Sequence, residues 1–181
     1  MNELAAHYLD EVRRQMRAYK RVADGALAQV TEEEFFRDLD SESNSLAVLV
    51  KHMAGNLRSR FSDFLTSDGE KPDRNRDQEF EIAGGATRKE ALGAWEAGWK
   101  ILFDTLTALK PEDLMRTVTI RGEPHTVLQA LNRALAHMAQ HAGQVVFLAK
   151  HFKSTQWKTL SVPRGQSDEF NARMREKQGK S

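Results

Sequence analysis

Apolar residues recur at intervals of three and four along four long stretches of this chain. Leu4, Tyr8, Val12, Met16, Tyr19, Val22 and Ala26, with Arg and Lys between them, predict a helix over residues 3–29. Thr31-Glu-Glu-Glu34 has the capping-box pattern and predicts a short turn through Phe36. After a polar loop rich in potential N-caps, Leu46, Leu49, Val50, Met53, Leu57, Phe61 and Phe64 mark a second long helix, to residue 66. Asp68-Gly69, Pro72 and Gly84-Gly85 make residues 67–85 a long surface loop. A second capping box, Thr87 to Glu90, opens a third long helix whose seam of Leu92, Trp95, Trp99, Leu102, Leu106 and Leu109 ends before Pro111. Val118–Ile120 and the turn Gly122-Glu-Pro124 predict a small extended excursion. The last long helix covers residues 126–152, with a stripe of Leu128, Leu131, Leu135, Met138, Ala142, Val145 and Ala149.

Four amphipathic helices with little strand propensity predict an all-α fold, an up-and-down-type four-helix bundle with a long loop between helices two and three. Residues 1–152 form the bundle. Residues 153–181, punctuated by Pro163 and Gly165, are expected to be an extended tail that packs on the bundle or on a second subunit through Trp157 and Leu160. A chain of 181 residues supports one good core without demanding two domains. The formal net charge of +1 gives no overall field toward nucleic acid or anionic lipid. From Lys150 onward, eight Lys/Arg against three Asp/Glu leave +5, which suggests a nucleic-acid binder as the weakest of the readings, because no recognition motif accompanies them. The absence of cysteine excludes disulfides, thiolate metal sites and a Cys nucleophile. With no signal-peptide pattern and no membrane-length apolar run, the expectation is a cytoplasmic protein.

Candidate chemistry lies on the last long helix. His137 and His141 are four residues apart, which puts both imidazoles on one face, with Ala130 and Ala134 beside them leaving room for a pocket. Two imidazoles amid Ala, Leu and Val suit metal ligands, and equally two core-edge or surface histidines. A convincing metal site needs a third ligand. His52 is the best candidate, because with Asn56 it flanks the core stripe of the second long helix. His7 and His125 are less well placed, and helix-end electrostatics account for His151. Asn56 and Gln144 are candidates to orient a ligand or bind substrate, or simply structural. Arg58 and Arg60 could bind an anionic carboxylate or serve in ion pairs, whereas Asp63, Glu96 and Asp104 read as solvated charges. Trp95 and Trp99 read as core.

His52-Met-Ala-Gly-Asn56 together with His137-x-x-x-His141-x-x-Gln144 resembles the DinB-like (YfiT-like) superfamily of metalloenzymes. Residues 51–60, Asp68-Gly-Glu-Lys-Pro72 and Leu160-Ser-Val-Pro-Arg-Gly-Gln-Ser167 resemble, more narrowly, a bacterial branch described as a domain of unknown function. The resemblance implies a DinB-like four-helix bundle with His52, His137 and His141 holding a divalent ion. A cysteine-free His₃ set admits Zn, Ni, Fe or Mn. Three ligands leave open coordination positions, and the resemblance implies a transferase or hydrolase acting on a low-molecular-weight thiol or its conjugate; a homodimer is expected. The competing expectation is a non-catalytic metal-binding or interaction bundle.

Overall fold

The computed structural model describes residues 2–178. Its helices are α1 (Asn2–Leu27), α2 (Glu32–Phe36), α3 (Leu46–Phe61), α4 (Arg88–Ala108), α5 (Val127–Lys153) and α6 (Ser167–Gln178). One antiparallel hairpin, β1 (Thr117–Ile120) and β2 (Glu123–Thr126), interrupts a chain that is otherwise mostly helical. Side-chain caps set where helices begin. Thr31 and Glu34, Thr87 and Glu90, and Thr126 and Gln129 each form a complete capping box, and Ser45 caps α3 through the Val48 amide.

The four long helices share one core, in which α1 packs on α4 and α5 while α3 packs on the same two helices. Trp95 and Trp99 are fully buried at its centre, with Met16, Met53, Leu102 and Leu131. Tyr8 bonds to Leu128 and Asn132 near the start of α5, and Lys153 at its end reaches Glu34, so α1 and α5 run parallel. Gly98 lies against Ala54, where an added Cβ would stand 3.1 Å from the Ala54 carbonyl, and Thr105 donates to the Phe61 carbonyl. Thus α3 and α4 also run parallel. Arg13 donates to the Leu106 carbonyl and Trp95 to Asp24, which sets α4 antiparallel to α1. The resulting order is up, down, down, up, which corrects the up-and-down arrangement expected from the pattern. A parallel step from α3 to α4 has to retrace a helix of 16 residues, about 24 Å, and that explains the length of residues 62–87.

That loop is not the surface loop its composition suggests. Helix α3 stops at Phe61 rather than residue 66, with Asp63 at φ +48°, although Phe64 stays in the core. Beyond it the Ser59 hydroxyl donates to the Gly69 carbonyl (2.8 Å) and the Gly69 amide to the Thr119 carbonyl (2.8 Å), tying the loop to α3 and to β1. Lys51 then pins a 3₁₀ turn, Asp77–Phe80, by donating to the Gln78 and Glu81 carbonyls at 2.5 and 2.7 Å. The two-residue hairpin turn places Arg121 and Gly122 at φ +57° and +77°, the left-handed pair that suits strand twist. The Asp68 carboxylate holds it by accepting both amides, at 2.9 and 2.8 Å.

After α5 the chain turns at Ser154 and runs back over α1. Trp157 packs half-buried on the core, Gln29 exchanges two hydrogen bonds with the Lys158 backbone, and Leu160 covers Gly25. The tail is not extended throughout: residues 167–178 form α6, whose first turn carries Asp168 and Glu169 where the helix dipole favours anions. Among the described residues no helix is long and apolar enough to cross a membrane.

Candidate metal centre

Antiparallel packing of α3 on α5 brings His52 against His137 and His141. His52 is buried, the other two are half-buried, and one ring nitrogen from each lies within 4.8 Å of the others. The Nε2 atoms of His52 and His137 are 3.3 Å apart, and those of His137 and His141 are 3.1 Å apart. His7, His125 and His151 lie outside this cluster.

Proton positions decide what the cluster can do. His52 Nδ1 sits 2.9 Å from a Glu79 carboxylate oxygen, which only accepts, so this nitrogen carries hydrogen and in the neutral ring Nε2 presents its lone pair. His141 Nδ1 sits 2.7 Å from Gln144 Oε1 and is fixed in the same way. Burial foremost, then His141, His52, Arg74 and Arg60, pushes the His137 pKa down to about 3. Burial also holds that of His141 below its ordinary value, against the pull of Gln144. Even if His137 donated to one neighbour, a lone pair on the other would face it unanswered. A cation among the three nitrogens removes that conflict.

The spacing fits such a cation. Ligand bonds of about 2.0–2.1 Å separate two nitrogens by about 3.3 Å at a tetrahedral angle and by about 3.0 Å at a right angle. The His52–His137 and His137–His141 separations fall within that interval. The three histidines could therefore hold a divalent ion, and all three line one pocket of about 500 Å³.

Behind His52 stands a pair that periodicity missed. Arg74 grips Glu79 with two bonds, at 2.8 and 2.9 Å, and its side chain is 4% exposed. Burial opposes ionisation of Glu79, but the bonds from His52 and Arg74 outweigh it and hold its pKa below the ordinary carboxylate value. A carboxylate on the far nitrogen of a ligating histidine fixes its tautomer and raises its basicity. Phe80 completes this wall, its ring centre 4.9 Å from that of His52 and 4.9 Å from the Arg76 guanidinium. An apolar Phe80 in a polar run was the one sign that the loop turns inward.

Of the other candidates, Asn56 and Arg60 line the pocket and Gln144 orients His141. Arg58 instead pairs with Asp73 on the surface. Glu96 and Asp104 are exposed partners of Lys20 and Lys100.

Fold and site together define a mostly helical protein with a three-histidine cluster able to hold a metal ion. In particular, the chain belongs to the family described as "Protein of unknown function (DUF1572)", whose model matches residues 3–166, from the first turn of α1 through α5 and the tail up to α6. No curated protein matches the chain.

Proposed function

We propose that this protein is a metal-dependent enzyme of the DinB-like kind, a four-helix bundle in which His52, His137 and His141 bind one divalent ion and the adjoining pocket takes a small thiol or thiol conjugate. The observation that carries this is the convergence of three lone-pair nitrogens, two of them fixed by Glu79 and Gln144, on the wall of an open pocket. When bound, the ion supplies Lewis acidity at that wall. The chain's own groups do the rest. Glu79 and Gln144 fix the tautomer in which Nε2 of neutral His52 and His141 carries the lone pair, and Arg74 helps to keep Glu79 ionised. No Asp or Glu is among the described pocket-lining residues, so the lining has no carboxylate to accept a proton. A thiol, with a pKa of about 8.5, gives up its proton far more readily than water and suits such a lining. Transfer of a group to the sulfur of a small thiol is therefore the reaction class proposed.

Metal analysis of the purified protein beside His137→Ala tests the centre. About one equivalent is expected in the wild type and a large loss in the variant; equal content in both would remove the site. A panel of thiols and electrophiles, assayed with and without chelator, then tests turnover. Metal binding without chelator-sensitive turnover would favour a non-catalytic bundle.

A further inference from the structure

The pocket beside the histidines is lined by five arginines, Arg60, Arg74, Arg76, Arg121 and Arg133, and by no acidic side chain among the described residues. Two carboxylates behind the lining hold some of them. Glu79 takes Arg74, and Glu70 is shared among Arg60 (2.9 Å), Arg121 (3.0 Å) and Arg74 (3.5 Å). Arg76 has only Asp77, 3.8 Å away and 95% exposed, and Arg133 makes no ion pair among the described residues. Five guanidiniums thus face two enclosed carboxylates, before any metal ion adds its charge. Burial and the nearness of Arg74 and Arg121 outweigh Glu70 and hold the Arg60 pKa below the ordinary guanidinium value.

The surplus is built into the backbone. Arg121 occupies a left-handed turn position that a side chain rarely adopts, and Asp68 fixes that turn through two amide bonds. Arg121 is thereby held at the pocket it lines, with its Nε on Glu70 at 3.0 Å. Apolar walls are present as well, from Phe61, Phe64, Phe80, Ile120 and Ala134. The combination fits a small molecule with an apolar body and an anionic end.

We propose that the pocket recognises its substrate through an anionic group, a carboxylate or a phosphate, bound by Arg60, Arg121 and Arg133. Planar guanidiniums bind both groups by paired N–H donors, which makes arginine the natural residue here. This rests on the same pocket being the substrate site of the proposed enzyme, but its test does not depend on turnover or on metal.

The test is calorimetric binding of succinate, inorganic phosphate and uncharged succinamide to the purified full-length protein at fixed ionic strength. Arg133→Gln is the first variant, because Arg133 is exposed and makes no ion pair among the described residues; Arg121→Gln is the second, and His137→Ala the control. Succinate or phosphate is expected to bind and succinamide not, with the tighter anion naming the source. Either arginine variant should weaken that anion about tenfold, the loss of one charged hydrogen-bond donor, with metal content unchanged. Equal binding of succinate, phosphate and succinamide would overturn the proposal, as would wild-type anion affinity in both arginine variants. Anion binding lost in His137→Ala but kept in both arginine variants would assign the anion to the histidine centre and also overturn it. Unchanged metal content in His137→Ala, with anion binding still lost in Arg133→Gln, would remove the metal reading and leave the anion site standing.

Discussion

Gly55→Ala gives the sharpest test of the Glu79 clamp, because two effects of opposite sign meet in one methyl group. Alanine in the interior of α3 favours the helix by about 1 kcal/mol over glycine. At Gly55, however, the new Cβ would stand 2.2 Å from Glu79 Oε1 and 2.8 Å from its Cδ. An ordinary C···O contact is about 3.3 Å, so the carboxylate has to retreat by about 1 Å. It cannot do so freely, since it is held at 2.9 Å by His52 and at 2.8 and 2.9 Å by Arg74. Loss of one such charged hydrogen bond costs about 1.5–3 kcal/mol. The helix gain offsets part of that, leaving metal-free Gly55→Ala about 1–2 kcal/mol less stable by urea unfolding. With His52 no longer oriented, metal affinity should fall about 10–100-fold in a chelator competition. A variant about 1 kcal/mol more stable than the wild type, with unchanged metal affinity, would refute the clamp.

Three further outcomes are expected. Glu79→Gln, which keeps the volume but removes the charge, should lower metal affinity by about 10–100-fold, and chelator competition at wild-type affinity would refute the role given to Glu79. The metal-free protein should lose stability as pH falls below about 6.5. There the unfolded chain protonates His137 and His141, whose folded pKa values are depressed, so the unfolded state binds more protons. Urea midpoints unchanged between pH 7.5 and pH 5 would contradict that sign. Truncation after Phe152 should cost about 1–3 kcal/mol by removing Trp157 and the Lys158–Gln29 bonds, without altering metal affinity; an unchanged unfolding midpoint would show that the tail does not hold to α1.

The helices were legible because periodicity and capping boxes are local. The stripes over α4 and α5 and the boxes at Thr31 and Thr87 lie where the pattern put them, whereas in α1 Leu4 is exposed and Leu9 and Ala23, outside the expected stripe, are buried. His52, His137 and His141 could be singled out by the same means, since each sits on a long helix at the edge of its stripe. What periodicity could not carry was direction. Nothing in the α3 and α4 stripes says that these helices run parallel, a fact fixed by the Gly98 approach to Ala54 together with the Thr105–Phe61 bond. Nor could it carry Glu79 and Arg74, which lie in a polar run and are buried only because Lys51, Ser59 and Asp68 fold that run inward. Gly55 was visible within the His52–Asn56 motif, but its reason was not, since the side chain that requires it arrives from 24 positions downstream. In α6 the acidic first turn was a readable signal, and Pro163 and Gly165 just before it pointed the other way.

The bond between Asp68 and the hairpin turn makes one mechanical unit of two segments that are distant in sequence. The loop bearing Arg74 and Glu79 is anchored, through Asp68 and Gly69, to the strand and turn bearing Thr119 and Arg121. Release of that anchor would loosen the support of His52 and the cationic wall in a single opening event. The Gly69, Arg121 and Gly122 amides should then share one hydrogen-exchange rate, and an occupant held by both walls would slow all three together.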